Sequence, residues 1–235
     1  MAGIAIVLAG FLLHWIAIIL KWERIKPFTK TLGMVLLIAW TLTNLDFQLP
    51  GLAALLIAAL TFGLAGDILL ALADKWFTAG LGAFLLGHVA YLSLITFSLK
   101  RADRIGLLSA FSAWMILPFV LTFVAALVAF SRVIVKPLRK KGPDRTFLVA
   151  LHIYAFCLTG LMVFSGYLTF LFSGSGRRIW AILLGGTFFF ISDFILAFDR
   201  FVRRVRLGQL WVMITYYLAQ FFLAFGFVAV IAILS

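Results

Sequence analysis

Two acidic residues interrupt runs that are otherwise apolar: Asp67 within TFGLAGDILLAL (Thr61 to Leu72) and Asp193 within TFFFISDFILAF (Thr187 to Phe198). Overlaid, the two stretches share Thr, Phe, a small residue, Asp, two large apolar positions, Ala and an apolar end. The six other acidic residues, Glu23, Asp46, Asp74, Asp103, Asp144 and Asp199, fall at the ends of apolar runs or between them. An Asp inside a lipid-embedded helix costs about 2.5–3.5 kcal/mol on insertion scales, so it faces a partner or a watery cavity. If the two meet across one cavity, one stays neutral and donates a proton while the other is ionised and accepts one. That is the division of labour in paired-carboxylate hydrolases. The structural alternative is that each Asp joins two helices by a hydrogen bond to a Tyr or His.

Other polar side chains recur at helical spacing. Phe84, His88 and Tyr91 lie four and three residues apart and share one face, next to a stripe of small residues, Ala79, Ala83 and Gly87, that lets another helix approach. Tyr216, Tyr217 and Gln220 are placed either to line the same cavity or to pair helices, since polar groups at membrane depth need partners. His152 and Tyr154 sit near a run's end and read as interfacial anchors. His14 has no polar company and is read as structural. The single cysteine, Cys157, excludes an internal disulfide and is read as packing. Three His and one Cys make no zinc site, and GxSxG, HExxH and P-loop patterns are absent. Carboxylate acid–base hydrolysis and ion-coupled transport remain, with a noncatalytic lipid-binding scaffold as a third class.

The elements that must position these residues are membrane spans. The 235-residue chain is 65% hydrophobic and 12% charged, with mean hydropathy +1.19; soluble domains carry about twice that charged fraction. Continuous apolar runs long enough to cross ~30 Å as helix, rather than alternating patterns, point to an all-α polytopic membrane protein. Eight spans fit: Gly3 to Leu20, Thr31 to Leu45, Gly51 to Ala73, Trp76 to Leu99, Ser109 to Phe130 (containing Pro118), Phe147 to Phe172, Ile179 to Phe198 and Gln209 to Leu234. They form a single domain over residues 1–235, since no polar segment is long enough to fold separately. Lys21, Arg24, Lys26 and Lys30 follow the first apolar run instead of preceding it, so it is expected to remain as a span.

The net charge of +12 is confined to short connections, which fits topology and anionic headgroups rather than nucleic acid. Of the 20 Lys and Arg, fifteen follow the odd-numbered spans and five follow even-numbered ones. The positive-inside rule then predicts that both termini face away from the cytoplasm. Asp67 and Asp193 each lie seven residues before a charged residue, Asp74 and Arg200, which puts both about 10 Å from the cytoplasmic helix ends at a 1.5 Å rise. Spans three and seven run the same way, and Tyr91 and Tyr217 fall at the offset that separates the two Asp. The pattern is that of a parallel internal repeat; convergence on one packing would leave the same trace.

The motifs GDILLAL (Gly66 to Leu72), GHVAY (Gly87 to Tyr91), GGTFFFISD (Gly185 to Asp193) and YYLAQ (Tyr216 to Gln220), with Lys26, Pro27 and Tyr154, resemble the YhhN family, which includes lysoplasmalogenases. The resemblance implies an eight-span membrane hydrolase that cleaves the vinyl ether bond of a lysophospholipid, giving a fatty aldehyde and a glycerophospho-headgroup product. It implies Asp67 and Asp193 as the catalytic pair, no metal or organic cofactor, and membrane lipid as the surroundings. The residues expected to contact substrate are His88, Tyr91, Tyr154, Ser192, Tyr216, Tyr217, Gln220 and Lys26. Lys26, Lys30 and Arg200 are candidates for the substrate phosphate, with topology as the plainer account of each. A bacterial cytoplasmic membrane is the expected location. The rival remains a proton-coupled transporter built on the same two Asp.

Overall fold

The computed structural model describes residues 2–72, 74–106 and 116–235, and every regular element among them is helical. Eight long helices follow one another: α1 (Ala2–Ile19), α2 (Lys26–Asn44), α3 (Pro50–Leu72), α4 (Phe77–Arg104), α5 (Leu117–Arg139), α6 (Arg145–Leu171), α7 (Trp180–Ala197) and α8 (Gly208–Leu234). Prolines open α2, α3 and α5 within their first turns, where a missing N–H leaves no bond unmade. Asp144 caps α6 by accepting from the Thr146 backbone N–H at 3.2 Å, satisfying one of the donors that a helix start leaves open.

Seven of these helices are long and apolar enough to span a membrane; α2 falls short. It begins at Lys26 rather than at the expected Thr31, so Lys26 and Lys30 are helical rather than in the connection. Their long aliphatic stems are good helix formers and carry the charge away from the lipid. The expected start of the fifth span, Ser109 to Met115, lies outside the described residues, as does Ala73 at the end of the third. The remaining boundaries agree within a few residues, except that α4 runs on to Arg104 and α5 to Arg139, past the expected Leu99 and Phe130.

Helix α8 is the central post, packed on α1, α2, α3, α4 and α7, with Tyr217, Leu223, Phe227 and Ile231 fully buried. Helix α5 lies outside, leaning on α6, and exposes Val120, Leu121 and Val124, a surface suited to hydrocarbon rather than water. The Asp-bearing helices each pack most extensively on the helix that follows, α3 on α4 and α7 on α8, the pairing that an internal repeat requires. The close α3–α4 approach uses Gly80 and Gly87, not Ala79, which is exposed. A Cβ at Gly87 would lie 3.3 Å from the Ala59 carbonyl oxygen, and one at Gly80 would lie 3.5 Å from that of Gly66. Residues seven apart lie two turns along one face, so these two glycines, and not Ala79, set the contact.

Candidate active site

Helices α3 and α7 bring Asp67 and Asp193 to the same cavity, about 310 Å³ in volume, whose walls include Lys30, Phe77, Phe84, Ser192, Arg200, Arg204, Gln209 and Tyr216. Both carboxyl groups are withdrawn from the surface: Asp67 is 1% exposed and Asp193 6%. The parts around each are different.

Asp67 is paired with a cation. Lys30 Nζ from α2 lies 3.1 Å from its Oδ1 and donates to its backbone carbonyl at 3.4 Å. The turn of α2 that presents Lys30 is tied to the central helix, because Tyr217 donates its hydroxyl to the Lys30 carbonyl at 2.9 Å. Tyr217 is held in turn by stacking on Phe11 at 4.3 Å. Asp67 Oδ2 is buried and makes no hydrogen bond within 3.5 Å among the described residues.

Asp193 has polar neighbours instead. The Tyr154 hydroxyl from α6 donates a short hydrogen bond to Asp193 Oδ2, and His88 Nε2 from α4 lies 3.6 Å from the same oxygen. His88 is fully buried, with its ring edge-on to Tyr154 at 5.3 Å and to Phe189 at 4.7 Å. Neither of its ring nitrogens has a hydrogen-bond partner among the described residues.

Tyr216 reaches the cavity between the rings of Phe84 and Phe189, each 5.7 Å away and edge-on. Behind it, Gln220 Nε2 donates to the Tyr216 hydroxyl at 3.3 Å and Gln220 Oε1 accepts from Tyr91 at 2.8 Å. This relay needs Gly63, since a Cβ there would stand 2.5 Å from Gln220 Nε2 and 2.9 Å from the Tyr216 oxygen.

The expected site residues therefore separate into groups. His88, Tyr154, Ser192 and Tyr216 gather around the two Asp, with Ser192 Oγ committed to the Val212 carbonyl at 3.2 Å. Tyr91 and Gln220 stand behind Tyr216 rather than on the cavity wall, and Tyr217 supports Lys30 from outside it. Lys26 is spent on Glu23, 2.6 Å away. Tyr154 is no interfacial anchor: it is buried against Asp193, whereas His152 faces outward with Nδ1 2.6 Å from the Leu148 carbonyl oxygen. His14 does have polar company, Thr29 Oγ1 at 2.9 Å, supplied by α2. Cys157 is half-buried on α6.

Lys30, expected as a candidate for the substrate phosphate, is instead the ion-pair partner of Asp67; the available signal for that role was a lysine one turn inside a helix about to enter lipid, where a charge needs a partner. Two residues lay beyond the expected set. Arg204 and Gln209 are brought to the cavity by the turn between α7 and α8. Asp199 organises this turn, accepting from the Val205 N–H at 2.7 Å and from Arg204 Nη1 at 3.1 Å. Gly208 lets the chain pass, because a Cβ there would lie 2.8 Å from Asp199 Oδ1.

A second cavity, about 170 Å³ and almost wholly apolar, lies among α4, α5, α6 and α7 and includes Leu81, Leu85, Phe147 and Leu151. It also touches Tyr154 and Asp193, and it shares Phe77, Asp193 and Leu196 with the first cavity. Asp193 thus stands where a cation-bearing space meets an apolar one. No curated protein and no solved structure matches this chain. The YhhN family profile, by contrast, matches residues 25–227, from the start of α2 far into α8 and including Lys30, Asp67, His88, Tyr154 and Asp193, so the chain belongs to the YhhN family.

Proposed function

We propose that this YhhN-family membrane protein is a hydrolase of lysoplasmalogens, cleaving their vinyl ether bond to release a fatty aldehyde and a glycerophospho-headgroup product. The observation that carries the proposal is the position of Asp193 at the junction of the polar and apolar cavities, across from the Lys30–Asp67 pair. A single-chain phospholipid has the same division, with the vinyl ether between its phosphate and its chain.

The roles follow from the surroundings. Lys30 makes Asp67 the carboxylate of the pair, and Asp193, at the edge of the apolar cavity, is the acid. Asp193 gives its proton to the alkene carbon of the chain, and the carbon bonded to the ether oxygen becomes an oxocarbenium ion. The Asp67 carboxylate stabilises that cation and takes a proton from water as the water oxygen bonds to it. The hemiacetal then collapses: Asp67 returns its proton to the departing glycerol oxygen, and Asp193 takes the hemiacetal hydroxyl proton as the aldehyde forms. Both carboxyl groups end as they began, with one water consumed. Tyr154 holds Asp193 by its hydrogen bond, His88 stands beside the same oxygen, and Tyr216 narrows the space in which the intermediate forms.

The test is incubation of purified protein in detergent with a lysoplasmalogen and with its saturated alkyl ether analogue, following free aldehyde by mass spectrometry. Aldehyde is expected from the vinyl ether alone. Asp67→Asn and Asp193→Asn are each expected to lower its release by at least about a hundredfold, the scale of a lost general acid or base, with unfolding temperature retained. Turnover unchanged in either variant removes that residue from the mechanism. Absence of aldehyde with folded protein, together with pH-gradient-driven flux across sealed vesicles, selects the transporter. We place both termini on the non-cytoplasmic side of the membrane and the cation-bearing cavity toward the cytoplasm, on the strength of the charge distribution.

A further inference from the structure

We infer that the apolar cavity beside Asp193 seats the aliphatic chain of the substrate, and that this chain reaches it sideways from the bilayer between α4 and α6, past Gly82. The inference rests on the hydrolase reading for the identity of the lipid, and on the shape of the molecule for the route.

Three residues of the cavity wall, Thr78, Gly82 and Ala150, are exposed on the outer face of the bundle. All three are small, and two helices supply them, so the wall is lowest where α4 faces α6. A Cβ at Gly82 would meet nothing within 4 Å; the position is open space, not a packing contact. The wall also carries a cluster of aromatic rings, in which Phe201 lies edge-on to Phe77 at 6.1 Å and to Phe147 at 5.6 Å.

The occupant is identified by continuity and polarity. The cavity joins the polar one at Asp193, Phe77 and Leu196, and that polar space is lined by charged side chains of both signs, with Lys30 paired to Asp67 and Arg204 to Asp199. A polar head and an apolar chain on one molecule satisfy both spaces together, as the hydrolase reading requires of its lipid. Size sets how much chain is held. The cavity is about 170 Å³, against roughly 30 Å³ for one water's share of the liquid. It therefore holds the first carbons of a chain, and the remainder passes the Gly82 rim into the hydrocarbon. Gly82 then acts on long chains and not on chains that end inside the cavity.

The experiment compares wild type, Gly82→Ala and Gly82→Trp in detergent with vinyl ether lysolipids of two kinds, one whose chain ends within the cavity and one of ordinary membrane length. Gly82→Trp is expected to lower kcat/KM for the long chain by at least about tenfold while the short chain stays within about twofold, in the range by which pocket shape discriminates substrates. Gly82→Ala should follow wild type for both. Equal loss on both chains, or no loss on either, overturns the route. A second arm separates this inference from the hydrolase reading. A saturated ether lysolipid bearing a diazirine within the first carbons of its chain is photolysed with the protein in vesicles, and the labelled peptides are identified. Label on Leu81, Leu85, Phe147 or Leu151 that Gly82→Trp removes supports the route even if wild type releases no aldehyde, in which case the hydrolase reading alone fails. Label confined to other helices, or indifferent to Gly82→Trp, overturns the route.

Discussion

At the scale of single residues, the Lys30–Asp67 pair shows how a carboxylate is kept in a place hostile to it. Asp67 is 1% exposed, and Lys30 Nζ is 3.1 Å away. Removing one member of a buried pair leaves the other's charge uncompensated, at a cost of about 3–5 kcal/mol. Lys30→Met is therefore expected to lower the unfolding temperature in detergent substantially and to stop aldehyde release. Lys30→Met combined with Asp67→Asn should recover much of that stability, because no lone charge remains, without recovering activity; a double variant as unstable as the single one would show that Lys30 acts through packing instead. The two Asp were legible in the sequence because an acid in an apolar run has no plain reason to be there. Lys30 was legible as a candidate phosphate contact but not as the partner of Asp67, since a lysine beside a span looks like any topology charge until its partner on another helix is known. Tyr91, Tyr217 and Gln220 were legible as polar groups in need of partners, but whether a hydroxyl lines a cavity or props the residue that does depends on the rotation of its helix.

At the scale of elements, the position of Asp193 depends on how closely α7 lies on α8. Gly185 is one point of close approach: a Cβ there would stand 2.7 Å from Leu223 Cγ, 2.8 Å from the Leu223 nitrogen and 3.0 Å from the Ala219 carbonyl oxygen. Two of these are backbone atoms and cannot step aside as a side chain does. Gly185→Ala is expected to push the helices apart at an overpacking cost of about 1–3 kcal/mol, visible as a lower unfolding temperature and reduced turnover. A variant with wild-type stability and activity would mean that the helices separate there at no cost. Helix α2 is the second informative element. It fell short as an apolar span because its first turns deliver Lys30, so the property that made it hard to read is the one the site uses.

At the scale of the whole molecule, charge and geometry meet in the orientation. Fifteen of the 20 Lys and Arg lie in the connections after α1, α3, α5 and α7 or in the helix ends beside them, and the cation-bearing cavity opens at that same end through Arg200, Arg204 and Gln209. With Cys157→Ala as background, Lys140→Cys between α5 and α6 is expected to react with an impermeant maleimide only after the cells are opened, and Gly174→Cys between α6 and α7 in intact cells. A Cβ at Gly174 meets nothing within 4 Å, so the probe itself should not disturb the fold. The reverse pattern would invert the molecule and move the cavity to the other face.

The sequence by itself determined the class of fold, the approximate spans, the pairing of the two Asp as the residues that need explaining, and the family to which the motifs point. These are properties of composition and of positions along one helix, which hydropathy and the rise per residue report directly. Only the tertiary structure decided that Asp67 belongs with Lys30 and Asp193 with Tyr154 and His88, that Tyr91 and Gln220 stand behind the cavity, and that an apolar space opens at Asp193. Each of these depends on the rotation and closeness of helices far apart in the chain. Glycine contacts at Gly63, Gly87 and Gly185 set that closeness, and an apolar run carries no record of which helix will meet it.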